Sequence, residues 1–78
     1  MDNYNPRKNS FPDRTIKYLK EHGESKASDI RNGIGLDEWC INSAYADRSS
    51  YYFHCTLIPR LLNKKIVIRT RHGHYKLV

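Results

Sequence analysis

The spacing of apolar residues changes near the C-terminus, and this change predicts a helix followed by a β-hairpin. Phe53, Leu57 and Leu61 recur every four residues, and Ile58 and Leu62 widen the stripe. Such spacing places side chains on one face of an α-helix, where they can pack against a core. We therefore expect one helix here, with a buried face and a polar face.

The ends of this helix are also marked in the sequence. Ser49 or Ser50 can cap its first turn, because a serine hydroxyl accepts a hydrogen bond from a free backbone N–H group. We expect the helix to end at about Asn63. Pro59 lies inside it and has no N–H group, so the helix should kink or loosen in its middle.

Two short segments after this helix alternate between apolar and polar residues, as half-exposed strands do. Ile66 and Ile68 alternate with Val67 and Arg69, and Tyr75 and Leu77 alternate with Lys76 and Val78. Gly73 lies between the segments and can adopt the positive φ of a tight turn. The pattern predicts a hairpin over residues 65–78.

Two further helices are predicted in the N-terminal half. The first runs from about Pro12 to His22, with Ser10 as its cap and Gly23 as its stop. The second runs from about Ala27 to Asn32 and directs Ile30 toward the core. Glycines end it and form a turn.

The sequence from Thr15 to Leu36, TIKYLKEHGESKASDIRNGIGL, resembles the first half of many prokaryotic winged helix-turn-helix regulators. In that superfamily, a helix, a glycine, a short strand and a small helix with a Gly-hydrophobic turn precede the recognition helix. The resemblance implies an α+β fold: a winged helix-turn-helix with three or four helices and a C-terminal β-hairpin wing. The domain would span residues 11–78, after a flexible N-terminal arm of residues 1–10.

Residues 37–48 depart from the pattern of that superfamily, because they are inserted before the last helix. Asp37 can cap a helix, and the apolar residues that follow have no regular period. We expect an extra short helix or an ordered loop. Trp39 is expected to be a buried plug of the core rather than a stacking platform, since tryptophan is highly buried on average.

The charge of the chain favours a polyanionic partner. Its 78 residues include 14 Lys and Arg against 8 Asp and Glu, a net charge of +6. Basic side chains that neutralise phosphates release condensed counterions, so nucleic acid is the expected partner. No Asp or Glu follows Asp47, so the last helix and the hairpin carry only positive side-chain charges.

These patterns and the resemblance together predict a small transcriptional regulator that binds double-stranded DNA. The polar face of helix 49–63 would contact bases in the major groove, through hydroxyl, amide and guanidinium groups. In the winged-helix superfamily the hairpin contacts the DNA backbone or minor groove, and the resemblance assigns this role to Arg71 and His72. The candidate DNA-binding residues are Arg48, Ser49, Tyr52, Thr56, Arg60, Asn63, Lys64, Arg69, Arg71, His72, His74 and Lys76.

Other chemistry is not expected. The histidines and cysteines do not follow a common zinc spacing, and no nucleophile elbow or glycine-rich phosphate loop occurs, so we expect no metal, cofactor or catalysis. Cys40 and Cys55 are expected to be reduced, with a single bridge as the alternative. No apolar run is long enough to span a bilayer, which predicts a soluble cytoplasmic protein, associated with a nucleoid or inside a host cell.

Two other functions fit the same sequence. A winged helix can be a protein–protein adaptor, which an exposed patch of Tyr45, Tyr51 and Tyr52 would favour. It can also bind RNA or particular nucleic-acid structures through the tyrosines and the wing, with stacking in place of base-edge readout. Homodimerisation would suit a DNA site with two-fold symmetry, with the first helix and the Trp39–Tyr45 segment as candidate interfaces.

Overall fold

The computed structural model describes residues 6–43 and 48–78, which form helices and one three-stranded antiparallel sheet. In chain order the elements are α1 (Phe11–His22), β1 (Ser25–Lys26), α2 (Ala27–Gly33), α3 (Leu36–Asn42), α4 (Ser49–Tyr52), a π-helical turn (Phe53–Leu57), α5 (Ile58–Asn63), β2 (Val67–Arg71) and β3 (His74–Leu77). The expected α+β class is confirmed, and the order of elements is compatible with a winged-helix layout.

Helix α1 begins and ends where the sequence predicts. The Ser10 hydroxyl accepts a hydrogen bond from the Asp13 N–H group at 3.4 Å, which caps the first turn. Gly23 has a φ of 74°, and its N–H group donates to the Leu19 carbonyl. Glycine adopts this conformation without strain, so the chain can leave the helix here.

A tight turn joins α2 to α3. Gly35 adopts a left-handed conformation, with φ 80° and ψ 12°, so α3 starts in a new direction. The extra helix expected from the sequence is therefore present, and its Leu36 and Cys40, one turn apart, are buried. The last part of the predicted insertion, residues 44–47, lies outside the described residues.

The expectation that Trp39 plugs the core is wrong. Its side chain is 49% exposed, and its ring packs edge-on against Phe11 with the centroids 5.9 Å apart. Leu36 and Cys40 form the buried stripe of α3. Trp39 therefore lies at the margin of that stripe, where only part of the ring is covered.

Helix α4, the π-helical turn and α5 follow one another without a break and form helix 49–63. In the π-helical turn, the Ile58 N–H group donates to the carbonyl of Phe53, five residues earlier. Pro59 explains this widening, because it has no N–H group for the Cys55 carbonyl and its ring would collide with that carbonyl in a regular helix. The predicted loosening near Pro59 is confirmed.

The predicted serine cap of this helix is wrong. Arg48 occupies the cap position, and no side chain forms a capping hydrogen bond there. Helix 49–63 nevertheless begins at Ser49 and ends at Asn63, as expected. Its buried residues, rather than its cap, therefore account for its position.

The strand order of the sheet is β1-β3-β2, so the central strand is the last one in the chain. Ser25 pairs with Tyr75 across β1 and β3. Gly73, with a φ of 76°, lies in the predicted turn of the hairpin, and its carbonyl accepts a hydrogen bond of 2.9 Å from the Ala27 N–H group. The turn of the hairpin is thereby attached to the start of α2.

The apolar residues of β2 do not share the core equally. Val67 is buried opposite Leu77, whereas Ile68 is 41% exposed opposite Lys76. Ile66 precedes β2 and is only partly buried. Since apolar side chains lie on both faces of this strand, alternation alone does not identify the buried face.

One core lies between the helices and one face of the sheet in the described part of the chain. It contains Leu19, Ile30, Ile34, Leu36, Cys40, Phe53, Leu57, Ile58, Leu61, Val67 and Tyr75. The rings of Phe53 and Tyr75 meet edge to face with centroids 6.2 Å apart, which joins helix 49–63 to the sheet. Among the described residues, no helix is long and apolar enough to cross a membrane.

Candidate nucleic-acid interface

Every lysine and arginine after Asp47 is exposed. These residues are Arg48, Arg60, Lys64, Lys65, Arg69, Arg71 and Lys76. They lie on helix 49–63, on the segment after it and on both strands of the hairpin, where the sequence has no carboxylate. A surface of this charge attracts polyanions.

The turn end of the hairpin contains Arg71, His72 and His74. No acidic residue is near Arg71 in sequence, but the pairing of β1 with β3 brings Glu24 to 3.7 Å from its Nε atom. Both side chains are well exposed, so this ion pair contributes little to stability and a phosphate can replace it. His74 Nδ1 lies 3.0 Å from the His72 carbonyl, within the turn itself.

The remaining basic residues of the hairpin lie on different faces of the sheet. Arg69 is opposite Tyr75, and its guanidinium lies 5.9 Å from the centroid of that ring, as in a cation–π contact. Lys76 is opposite Ile68, on the other face. The hairpin is therefore basic on both sides, and its predicted residues do not form one cluster.

His54 is influenced by the charges of Arg31 and Arg69, and the sequence pattern selected neither His54 nor Arg31. Partial burial lowers the pKa of His54, and the positive charges of Arg31 and Arg69 lower it further. Arg31 Nε faces Asp37 Oδ1 at 4.0 Å, which is longer than a hydrogen bond. We call this group the Arg31–His54–Arg69 cluster. Because its members come from α2, the π-helical turn and β2, no local spacing could reveal it.

Two predicted residues of helix 49–63 and the residue at its cap position line a cleft. Arg48, Tyr52 and Thr56 face a space of ≈ 420 Å³, whose other walls include Trp39 of α3. Tyr52 is partly buried, and its ring lies edge-on to Phe11 with centroids 6.2 Å apart. Tyr52 therefore belongs to the packing between helix 49–63 and α1, and not to a fully open helix face.

Arg60 lines a second cavity, of ≈ 510 Å³, together with Arg7, Lys8 and Arg14. Among the described residues that line this cavity there is no carboxylate. The basic residues of the N-terminal arm were not selected from the sequence, because most tails of this composition are solvated. The first part of the predicted arm, residues 1–5, lies outside the described residues.

Arg14 is held in a fixed position in this cavity. Its Nη1 donates a hydrogen bond of 3.1 Å to the Ile34 carbonyl, and its guanidinium lies 5.4 Å from the centroid of the Phe11 ring. Both contacts leave other guanidinium N–H groups available, since arginine has five. Arg14 can therefore bind an anion with little loss of side-chain freedom.

The other predicted helix residues lie at the two ends of helix 49–63. Ser49 is partly buried at its start, whereas Asn63 and Lys64 are exposed at its end, close in sequence to the hairpin. The structure therefore divides the predicted set into a group near the hairpin and a group near α1 and α3.

The proposed aromatic patch is only partly described. Tyr51 is 64% exposed, Tyr52 is partly buried, and Tyr45 lies outside the described residues. The Trp39–Tyr45 segment, which is a candidate dimer interface, is likewise described only as far as Ser43.

Both cysteines are free thiols, as expected. Cys40 is buried, and this burial, together with the negative charge of Asp37, raises its pKa. Cys55 is exposed on the π-helical turn. Within residues 6–43 and 48–78, no three His, Cys, Asp or Glu side chains are grouped so that they could hold a metal ion.

No family model, curated protein or solved structure matches this chain. Its candidate sites are therefore defined by geometry and charge alone. They are the basic surface of the hairpin with the Arg31–His54–Arg69 cluster, and the two adjoining spaces between α1, α3 and helix 49–63.

Proposed function

We propose that this chain is a winged-helix domain that binds double-stranded DNA as a small transcriptional regulator. The observation that carries the proposal is the charge of its C-terminal part. All seven lysines and arginines after Asp47 are exposed, and no acidic residue accompanies them in that part of the sequence. Binding of such residues to phosphates is favoured by the release of counterions.

The layout of the elements supports the same proposal. Helix 49–63 immediately precedes the β2–β3 hairpin, and β1 completes the sheet in the order β1-β3-β2. A hairpin attached in this way can serve as the wing beside a recognition helix. The hydrogen bond from Ala27 to Gly73 holds its turn in a defined position.

In this proposal, the exposed side of helix 49–63 enters the major groove. Thr56, Arg60 and Asn63 are exposed and offer hydroxyl, guanidinium and amide groups to bases and phosphates. The wing contacts the sugar-phosphate backbone beside the groove. The positive charges of Arg31 on α2 and Arg69 on β2 both act on His54 of helix 49–63, so a phosphate near this histidine would meet positive groups from two elements.

The test is a salt series with duplex DNA of random sequence. We compare the wild-type chain with an Arg69→Ala/Arg71→Ala variant, which removes two charges from the wing. The matched control is Lys17→Ala/Lys20→Ala, which removes two exposed charges from α1. Circular dichroism establishes that each variant is folded.

We expect duplex binding that weakens steeply with salt. The logarithm of the binding constant should fall linearly with the logarithm of the salt concentration, and each lost phosphate contact should reduce the slope by about 1. The wing variant should therefore lose about two units of slope, and the α1 control none. Absence of binding at low salt, or equal effects of the two variants, would refute the proposal.

A further inference from the structure

The two spaces beside helix 49–63 adjoin each other. The cleft of ≈ 420 Å³ and the basic cavity of ≈ 510 Å³ share Phe11, Trp39 and Tyr52 as lining residues. We call the combined space the aromatic groove. No residue of the hairpin is among the described residues that line it, so it is separate from the wing surface.

Each of the two spaces has positive side chains, and we call the two spaces the basic ends of the aromatic groove. Arg48 lines the cleft, and Arg7, Lys8, Arg14 and Arg60 line the basic cavity. The three shared aromatic residues line both of these spaces. The groove therefore has a positive–aromatic–positive arrangement, and no carboxylate is among its described lining residues.

The nearby Asp13 carboxylate has other partners. Its Oδ2 accepts a hydrogen bond of 2.9 Å from the Asn9 N–H group and lies 3.2 Å from Lys17 Nζ. It does not line the groove, and its positive partners offset its charge. An anion in the basic cavity would thus meet the four cationic side chains.

The order of groups in the aromatic groove matches a nucleic-acid strand. A single strand presents alternating phosphates and flat base faces, and proteins bind it with basic grooves and aromatic side chains on which bases stack. We propose that the aromatic groove binds single-stranded nucleic acid, with a base on the half-exposed Trp39 and phosphates at the two basic ends. A duplex cannot bind in this way, because its base faces are covered by neighbouring bases.

Other anionic ligands use only part of this arrangement. A mononucleotide has a base and one phosphate group, so it engages one basic end and leaves the other empty. An acidic peptide supplies charges without regularly placed flat rings. The use of both basic ends therefore distinguishes a strand from these ligands, and it can be measured.

The first measurement uses the fluorescence of Trp39, which is the only tryptophan of the chain. We titrate the full chain with an oligothymidine of about 12 nucleotides, within the range of about 4–16 nucleotides that single-strand sites cover. Stacking of a base on Trp39 should quench its emission, and the quenching should saturate. Random duplex of equal length is the comparison ligand and should cause little quenching.

The second measurement uses fluorescence anisotropy of labelled oligothymidine with variants from each end of the groove. Arg7→Ala/Lys8→Ala removes charge from the basic cavity, Arg48→Ala removes it from the cleft, and Trp39→Ala removes the stacking surface. We expect Trp39→Ala to weaken binding roughly 5- to 150-fold, from the usual contribution of one stacked base. Each lost phosphate contact should reduce the salt slope by about 0.7, the value for single strands.

Two controls separate this site from the duplex site. Lys17→Ala/Lys20→Ala removes the same charge from α1 and should change oligothymidine binding less than Arg7→Ala/Lys8→Ala. Arg69→Ala/Arg71→Ala, the wing variant, should weaken duplex binding and leave oligothymidine binding at the level of the α1 control. Thr56 and Arg60 belong to both proposed surfaces, whereas Arg69 and Arg71 belong only to the duplex site and Arg7, Lys8 and Trp39 only to the groove. The variants at these unshared residues therefore test the two proposals separately.

Three results would overturn the inference. The first is an absence of Trp39 quenching by oligothymidine at low salt. The second is oligothymidine binding that depends on the wing variant and not on the groove variants. The third is an affinity for thymidine monophosphate or an acidic peptide equal to that for oligothymidine, together with no effect of Arg48→Ala. Only one end of the groove would then be in use.

Discussion

The Tyr18 ring lies close to Gly33, so the effect of Gly33→Ala on stability should depend on whether Tyr18 is present. A Cβ atom added at Gly33 would lie 2.2 Å from Tyr18 Cε2 and 2.6 Å from Cδ2. These distances are too short, so Gly33→Ala must displace the tyrosine ring. The ring also stacks on His22, with centroids 4.2 Å apart, and this contact would be disturbed as well.

The expected magnitude combines two opposing effects. Overpacking typically destabilises a protein by about 1–3 kcal/mol. Replacement of glycine by alanine in a helix is favourable by roughly 0.5–1 kcal/mol, and Gly33, as the last residue of α2 with an ordinary φ, should be near the lower value. Gly33→Ala should therefore lower the free energy of unfolding by about 0.5–2.5 kcal/mol.

The sign should reverse when Tyr18 is absent. In a Tyr18→Ala background the clash no longer exists, so Gly33→Ala should stabilise the chain by about 0.5 kcal/mol. A double-mutant cycle from urea denaturation measures this coupling directly. The matched control is Gly73→Ala, at a glycine with a positive φ and open space around it, whose cost should be the same in both backgrounds.

Either of two results would refute the proposed clash. Helix propensity alone predicts that Gly33→Ala stabilises the wild-type chain, and such stabilisation would mean that the Tyr18 ring is not held against α2. Equal destabilisation with and without Tyr18 would mean that the cost has another origin. In a domain of this size, about 1 kcal/mol corresponds to a shift of about 4–8 °C in Tm, which thermal unfolding can detect.

Three other predictions concern the core, a histidine and the thiols. Phe53 is fully buried against Tyr75, so Phe53→Ala should cost about 3–5 kcal/mol in urea denaturation, and a loss under about 1 kcal/mol would contradict this packing. The pKa of His54 is lowered from 6.5 in the folded state, so the unfolded state binds the proton more readily and stability should fall as the pH decreases through about 6.5. His54→Asn should remove this part of the pH dependence. If the wild-type chain and His54→Asn show the same dependence of unfolding on pH, His54 is not its cause. Cys55 should react quickly with a thiol reagent, and Cys40 should react only as the chain unfolds. Stopped-flow labelling should therefore show one fast phase, which Cys55→Ser abolishes. Two fast phases would contradict the burial of Cys40.

Local chemistry explains why the helices and the hairpin were predictable from the sequence. The Ser10 cap, the Gly23 stop and the Gly73 turn are each determined by neighbouring residues, and the structure agrees at all three positions. The effect of Pro59 on helix 49–63 was also predictable, since it follows from a missing N–H group. Such features require no knowledge of distant contacts.

The candidate sites depend on tertiary packing, and here the sequence was a weaker guide. Trp39 was expected in the core on average behaviour, but the neighbouring Leu36 and Cys40 occupy the buried stripe of α3. Likewise, Arg14 and Arg60 line one cavity although most of the chain separates them. Periodicity places a residue on a face of its own helix, but it does not identify the element that lies opposite.

The pairing of β1 with β3 has a consequence for the order in which the chain can fold. Ser25 and Tyr75 are partners, although they lie near opposite ends of the sequence, so closing the sheet requires a long loop to close. The helices and the β2–β3 hairpin contain mainly local contacts and can form earlier. During synthesis at about 5–20 residues per second, Tyr75, the core aromatic residue of β3, emerges after all the helices. Strand β1 therefore cannot find its partner until β3 has been made, so its edge stays unpaired while the helices form.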